Sequence, residues 1–553
     1  MAMATGIAAR TVTAEAPTRA RVAATKETTT AQARPARWQR WLWPGVCLLA
    51  GMAAGLGFQP FHIWPLIPLG VAVAALAATQ ARWGAGFARG YLFGLGMLSV
   101  EIYWIYTVAA VAVPLLIGFL ALWYGLIGAL ISLTRRWAVW PLIATSAWVA
   151  MEWASSRVPF GGFGWSRLGF AAAGTPLDGL FPWISISALS AILAASGFLL
   201  AAVAQAWLAH RQRTAALRGG VTAGFIALSL LAGVLAPATA AASPDAPTVA
   251  IGVVQGNVPG KGPSALGRAE TVTNNHLSET IMLAAQVRTG LADEPDFVLW
   301  PENATDIDPT RDASTAAKVE ASVDIIGAPI LVGAVTQGPA EEGERQTSAL
   351  WWTTDHEVTD VYHKRNLVPF GERIPLRSVL LPLLPILERV GDQGVPGETV
   401  GVLDVALEDS DLRIGDVICF ELVYDATVDE MITGDETTAG AEIVVVQTNN
   451  GTYSGTTQMA QQDAITQARA LETGREIVVA TTNSFSGLIL ADGSHGWRTT
   501  QSTADATTVT VPIRTEVTPA VEHRGLIEIA LIVGPLVLAA ALMVAHHRRR
   551  RHD

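Results

Sequence analysis

Eight apolar stretches constrain this chain more than anything else in it: residues 42–58, 61–79, 85–107, 108–133, 137–155, 180–209, 219–240 and 526–545. A helix needs about 20 mostly apolar residues to cross the hydrocarbon layer of a bilayer. The stretches predict seven spans before residue 245 and an eighth near the C-terminus, the first two short and joined by Gln59-Pro60-Phe61. Only 15% of the residues are charged and 50% are hydrophobic, against roughly 25% charged in a soluble domain. A multi-span membrane protein is expected.

The arginines test that count. Arg34, Arg37 and Arg40 precede the first span, Arg82 and Arg89 follow the second, Arg135 and Arg136 the fourth, and Arg211, Arg213 and Arg218 the sixth. Cytoplasmic loops collect Lys and Arg, and a seven-span count puts all of these on one side. The block from about Thr248 then emerges on the outer face, and the last span returns the chain to the basic run His546-His547-Arg548-Arg549-Arg550-Arg551. The expected organisation is a disordered cytoplasmic tail (1–36), a transmembrane domain (37–245), an extracytoplasmic domain (246–520), a C-terminal span (521–545) and a basic cytoplasmic tail (546–553). The late start of the apolar region argues against an ordinary signal peptide. The formal net charge of −11, with acidic residues concentrated between about 265 and 445, argues against nucleic acid, which demands a basic face.

The outer block has another grammar. Short β-rich runs (Val249–Val254, Phe297–Trp300, Ile330–Val335, Leu412–Ile418, Ile443–Gln447 and Ile477–Thr481) alternate with helical stretches such as Gly267–Arg288 and Thr456–Thr473. Such alternation predicts an α/β domain with a covered sheet.

Three of its turns carry chemistry. The chain has two cysteines: Cys47 lies in an apolar stretch and reads as filler, whereas Cys419 ends a strand and is followed by Phe420 and Glu421. Trp300-Pro301-Glu302 ends another strand, and the third segment runs from His363-Lys364 to Leu367-Val368-Pro369-Phe370-Gly371-Glu372. A carboxylate can take a thiol proton, and an ammonium favours the thiolate and stabilises an oxyanion on an attacked carbonyl. Covalent attack by the thiol divides acyl transfer into two easier steps. Against this stands the ordinary reading, in which a lone Glu or Lys is a solvated charge and a lone Cys a small hydrophobe.

These three motifs resemble the Glu-Lys-Cys triad of the nitrilase superfamily. More narrowly, with Val253-Val254-Gln255-Gly256-Asn257, Phe58-Gln59-Pro60-Phe61, Trp64-Pro65-Leu66 and Phe163-Gly164-Trp165, the chain resembles the apolipoprotein N-acyltransferase family from about residue 42 to 545. The resemblance implies a nitrilase-like α-β-β-α sandwich attached to the membrane domain. It further implies transfer of an acyl chain from a membrane phospholipid, through a Cys419 thioester, to the α-amino group of a diacylglyceryl-modified cysteine on an apolipoprotein. By position, Glu302 is the general base, Lys364 the oxyanion partner and Cys419 the nucleophile, with Glu372, Phe420 and Glu421 in support. Phe420 departs from the family's usual Tyr, and Tyr453 stands in a loop where many relatives place Trp.

No HExxH or CxxC pattern occurs, His62, His363 and His495 lack ligand spacing, and no Gly-rich phosphate loop follows a strand. Neither metal, nucleotide nor other cofactor is expected. The aromatic loop Pro159–Phe170 is expected to form an interfacial belt, with a share in the substrate entrance as the alternative. Two competing functions are a membrane-anchored amidase using the same triad, and a transporter or sensor. The latter would need an ionisable relay along the spans, which offer chiefly Glu101 and Glu152.

Overall fold

The computed structural model describes residues 37–237, 245–258, 260, 270–340, 343–408 and 410–552. The expected N-terminal tail and part of the linker before the outer block lie outside the described residues. Leu42–Asp553 make one compact unit.

Each of the eight apolar stretches contains a helix. They form α1 (Arg37–Gly55), α2 (Leu66–Thr79), α3 (Trp83–Glu101), α4 (Ala112–Thr134), α5 (Trp140–Ser155), α6 (Phe181–Leu208) and α7 (Gln212–Leu235), with the last one at the C-terminus. Four segments among the described residues are individually long and apolar enough to cross a bilayer: Ala112–Thr134, Asp178–Leu208, Gln212–Leu235 and Arg524–Ala545. In each of the others the helix covers only part of the apolar run. α2 starts only at Leu66, with Pro65 as its N-cap, and at 1.5 Å per residue its 14 residues cover about 21 Å of a hydrocarbon layer about 30 Å thick. α3 stops at Glu101 and gives way to a 3-10 turn over Tyr103–Thr107. Small residues let α3 and α4 approach closely, as in other membrane bundles. A Cβ on Gly90 would lie 2.2 Å from the Tyr124 carbonyl oxygen, and one on Gly128 would lie 2.3 Å from that of Gly86.

The rest of the chain builds two sheets. The first contains β1 (Thr248–Gln255), β2 (Phe297–Leu299), β3 (Ile330–Gln337), β4 (Glu344–Trp352), β5 (Val358–His363) and β6 (Gln393–Gly394). The second contains β7 (Val402–Ala406), β8 (Asp411–Ile418), β9 (Ile443–Thr448), β10 (Ile477–Thr481), β11 (Gly487–Ile489) and β12 (His495–Arg498). A last strand, β13 (Asp505–Pro512), returns to pair antiparallel with β1. The strand orders are β13-β1-β2-β3-β4-β5, with β6 beside β4, and β12-β11-β10-β9-β8-β7.

The sheets pack face to face. Ile251, Phe297 and Trp351 of one meet Ile414, Val445 and Val478 of the other. The helices α8 (Thr271–Arg288) and α9 (Ala313–Ile326) cover the first sheet, burying Leu283 and Val323 against Val298 and Val332. After the short α10 (Arg377–Leu380), α11 (Asp425–Thr433) and α12 (Gln458–Thr473) cover the second. The order is helix, sheet, sheet, helix, the expected sandwich. β9 is buried at every position, as a parallel strand covered on both faces must be.

α11 and α12 also face the bundle. Met431 and Ile465 belong to one continuous apolar core with Trp148, Phe170 and Phe181 of the membrane half. After α13 (Pro519–Glu522), α14 (Arg524–His552) carries the chain away. The helix continues through most of what was expected to be a separate basic tail.

Candidate active site

β2 and β3 run parallel, and two antiparallel pairings, β3 with β4 and β4 with β5, turn β5 back to their direction. The C-terminal ends of β2 and β5 therefore open on one edge of the first sheet, where Glu302 and Lys364 follow them. Cys419 follows β8 in the facing sheet and opens a 3-10 turn over Cys419–Val423. Its backbone is left-handed, with φ 54°, a conformation few non-glycine residues adopt unless their surroundings impose it.

The Lys364 ammonium is 2.9 Å from Glu302 Oε1 and 2.8 Å from Glu372 Oε1. The second oxygen of each carboxylate is also held: Glu302 Oε2 accepts the Asn449 N–H at 2.7 Å, and Glu372 Oε2 accepts the Val368 N–H at 2.7 Å. Lys364 is 1% exposed and Glu302 3%, so this is a buried Glu–Lys–Glu cluster. Cys419 is half-buried beside it, near enough for all three charges to act on the thiol. Gln462 Nε2 lies 3.9 Å from Sγ and donates to Thr448 Oγ1 at 2.9 Å.

Burial and then the Glu302 carboxylate push the thiol well above its ordinary value, outweighing Lys364. Lys364 acts to favour the thiolate, as expected, but its pull is the weaker one. Its charge is already shared by two carboxylates. Burial likewise raises Glu302, with Lys364 opposing and Glu372 adding to the rise. On Lys364 burial acts downward, but the Glu302 and Glu372 carboxylates win and keep it protonated. The arrangement thus holds a protonated thiol, a carboxylate with raised proton affinity and a fixed cation. It can move a proton from sulfur to carboxylate as the sulfur attacks an acyl carbon, with the cation facing the oxyanion.

Glu421 is fully buried and acts on backbone. It accepts the N–H groups of Arg365 (2.8 Å), Asn366 (2.9 Å) and Ile418 (3.0 Å), and the Tyr362 hydroxyl at 3.0 Å. It thereby ties the loop after Lys364 to the residue before Cys419. Phe420 points to the membrane half: its ring stacks on Trp165 at 5.9 Å and lies 5.8 Å from Phe163. Trp165 and Phe170 are buried in that contact region, so most of the aromatic loop faces protein. The interfacial-belt expectation fails there; within the loop only Pro159, Phe160 and Gly161 are exposed. Tyr453 meets Trp104 edge-on at 5.1 Å.

Sequence reasoning missed Gln461, Gln462 and Trp104. Gln461 uses all its hydrogen-bonding capacity: its oxygen accepts the Trp104 and Trp165 indole N–H groups at 2.9 and 2.8 Å, and its amide donates to the Gln59 and Glu101 carbonyls at 3.1 and 2.8 Å. The available signal was a run of amides, Gln458, Gln461 and Gln462, at helical spacing on one helix beside Met459, Ala460, Ala464 and Ile465.

Known families match both halves. Residues 50–199 match the apolipoprotein N-acyltransferase N-terminal domain, and residues 279–512 the carbon–nitrogen hydrolase family. An apolipoprotein N-acyltransferase from Mycolicibacterium smegmatis is 31% identical over 89% of this chain and 84% of its own length. One from Nitrosomonas europaea is 26% identical over 90% and 97%. A solved CN-hydrolase superfamily protein from Xanthomonas campestris is 16% identical, covering 52% of this chain and 97% of that one at a TM-score of 0.33. On the family match and the near full-length 31% relative, this chain belongs to the apolipoprotein N-acyltransferase family, membrane enzymes whose catalytic domain derives from the carbon–nitrogen hydrolases.

Proposed function

We propose that this enzyme moves an acyl chain from a membrane phospholipid to the α-amino group of the diacylglyceryl-cysteine of bacterial lipoproteins, by way of a thioester on Cys419. Glu302 takes the thiol proton as Sγ attacks the ester carbonyl, and Lys364 faces the oxyanion. Collapse breaks the ester bond, and the departing lysophospholipid oxygen takes the proton from Glu302. The acceptor amine then attacks the thioester and loses a proton to Glu302, and the released sulfur recovers it. Glu372 orients Lys364, Glu421 holds the two loops in register, and Phe420 forms part of the wall towards the membrane half.

The observation that carries this reading is the Lys364 ammonium shared by Glu302 and Glu372 beside the only thiol in the α/β block. The apolar core common to α12 and the bundle favours a lipid-borne substrate over an amidase that merely carries an anchor. The outer placement of the block, with both termini cytoplasmic, rests on the arginines. Arg89 and Arg135 donate to carbonyls at the end of α2, and Gln205 near the end of α6 donates to the Arg135 carbonyl. That gathers the basic loops at one end of the bundle, as a single cytoplasmic face requires. The test is the mass of a lipoprotein N-terminal peptide from cells with and without this protein. A gain of one acyl group on the amine, lost with Cys419→Ala, is expected; acylation that persists in that variant removes the proposal.

A further inference from the structure

A second polar assembly lies between the membrane half and the turn that carries Cys419. Arg167, in the loop before α6, donates from Nη1 to both oxygens of Asp425 at 2.7 Å and from Nη2 to Ser187 Oγ at 2.7 Å. Asp425 opens α11, and its Oδ1 also accepts from Arg469 Nη2 of α12 at 2.8 Å. Arg469 also donates to Glu472 Oε2, at 2.6 Å from Nη1, and to the Leu422 carbonyl, at 2.7 Å from Nε. Leu422 belongs to the turn Cys419–Val423. Glu472 in turn accepts the Ile186 N–H at 2.9 Å, where α6 is interrupted at Ser185 (φ 68°). It also accepts from Arg524 at 2.8 Å. Arg167, Asp425, Arg469, Glu472 and Arg524 are all 6% exposed or less.

Burying this many charges is costly, and well-packed apolar residues often hold a protein together as well. What apolar residues cannot do is grip one carbonyl of one turn from a fixed direction. The guanidinium of Arg469 does that, and its own orientation is set by Asp425, which Arg167 holds from the membrane side. The same loop carries Trp165, whose ring stacks on Phe420 next to the thiol.

We propose that Arg167 and Arg469 are positioning residues for acyl transfer: through their shared Asp425 and the Leu422 carbonyl, they lock the turn that presents Cys419 and make its geometry depend on the membrane half. The proposal rests on Cys419 being the nucleophile.

The test uses full-length protein in phospholipid vesicles and the variants Arg469→Lys, Arg167→Lys and Arg167→Ala. Lysine keeps the charge but cannot span Asp425, Glu472 and the Leu422 carbonyl together. Thioester formation from labelled phospholipid is measured over a range of donor concentrations. Alkylation of Cys419 by a small soluble reagent is measured over a range of pH, with the melting temperature as control. For Arg469→Lys the expected result is a folded protein whose maximal thioester rate falls about 10–100-fold, since a misplacement near 1 Å costs about that much. Its donor KM stays within about threefold, and its alkylation profile is altered. Arg167→Lys should fall less than Arg167→Ala, and carries the comparison if the alanine variant does not fold. Folded variants with the wild-type thioester rate and wild-type alkylation profile overturn the proposal. If wild-type protein forms no thioester, the nucleophile assignment fails instead, and the alkylation profile still decides whether Arg469 and Arg167 set the turn.

Discussion

Replacing Lys364 with Met separates what the ammonium does for stability from what it does for catalysis. The side chain is 1% exposed and serves two carboxylates, at 2.9 and 2.8 Å. Removing one partner of a buried ion pair costs about 3–5 kcal/mol, and here two acids lose the same partner. The cost depends on pH. Burial already raises Glu302 against the pull of Lys364, so without Lys364 it rises further. An acid raised in the folded state loses stability as pH climbs above its unfolded value of about 4.3, by about 1.4 kcal/mol per pH unit until the folded value is reached. Lys364→Met should therefore melt closest to wild type near pH 5 and fall progressively behind by pH 8. Losing the cation opposite the oxyanion should also cut thioester formation about 10²–10³-fold. The double variant Lys364→Met/Glu372→Gln removes one of the abandoned charges and should recover part of the melting temperature at pH 8 but none of the rate. Melting curves in detergent across pH, paired with thioester formation, make the comparison. A double variant that regains near wild-type turnover would refute the reasoning, as would a stability loss that is flat with pH.

Glu302→Gln should slow acyl transfer about 10²–10⁴-fold, the usual worth of a general base, yet make Cys419 alkylate faster at pH 8, because Glu302 helps to hold the thiol protonated; unchanged or slower alkylation would contradict this. Glu421→Gln turns an acceptor of three backbone N–H groups into one that meets at least one of them with its own N–H. The cost should be about 1–3 kcal/mol, read as a lower melting temperature with a lower kcat, and an unshifted melt would count against the assignment. Asp416 is fully buried, and burial followed by the Glu421 and Glu302 carboxylates holds it well above the carboxylate range, with only the Val417 backbone N–H opposing the rise among the described residues. Asp416→Asn should therefore stabilise the protein, by a margin growing about 1.4 kcal/mol per pH unit above the unfolded value; a margin that does not grow between pH 5 and 8 would show that the carboxylate finds a partner.

The helices were legible as apolar runs, but their lengths were not, because apolarity continues through turns that proline or a 3-10 segment has already ended, as at Pro65 and Tyr103. The sandwich was legible through its central strands. β4 starts with Glu344-Arg345-Gln346-Thr347, β5 alternates half-buried with exposed positions as far as Val361, and β7 alternates buried with exposed ones; a search for apolar runs passes over such strands. Glu302, Lys364, Glu372 and Cys419 could be placed together because each sits in a distinctive short motif. The shared use of Lys364 was hidden, since spacing shows that a cation is near and not what else claims it. Trp104 and Gln461 are 357 positions apart, and Arg167 and Asp425 are 258 apart; each alone is a commonplace residue. Aromatic composition misled at Trp165 and Phe170, because a ring buried against protein and a ring at a lipid interface have the same local sequence.

The most direct measurement supplies the full-length protein in vesicles with phospholipid carrying a labelled acyl chain and no acceptor, quenches in acid and maps the label by peptide mass. The account predicts one hydroxylamine-sensitive acyl group on Cys419, absent from Cys419→Ala and discharged when a diacylglyceryl-peptide with a free amine is added. No adduct on Cys419, or transfer that proceeds without one, would contradict it.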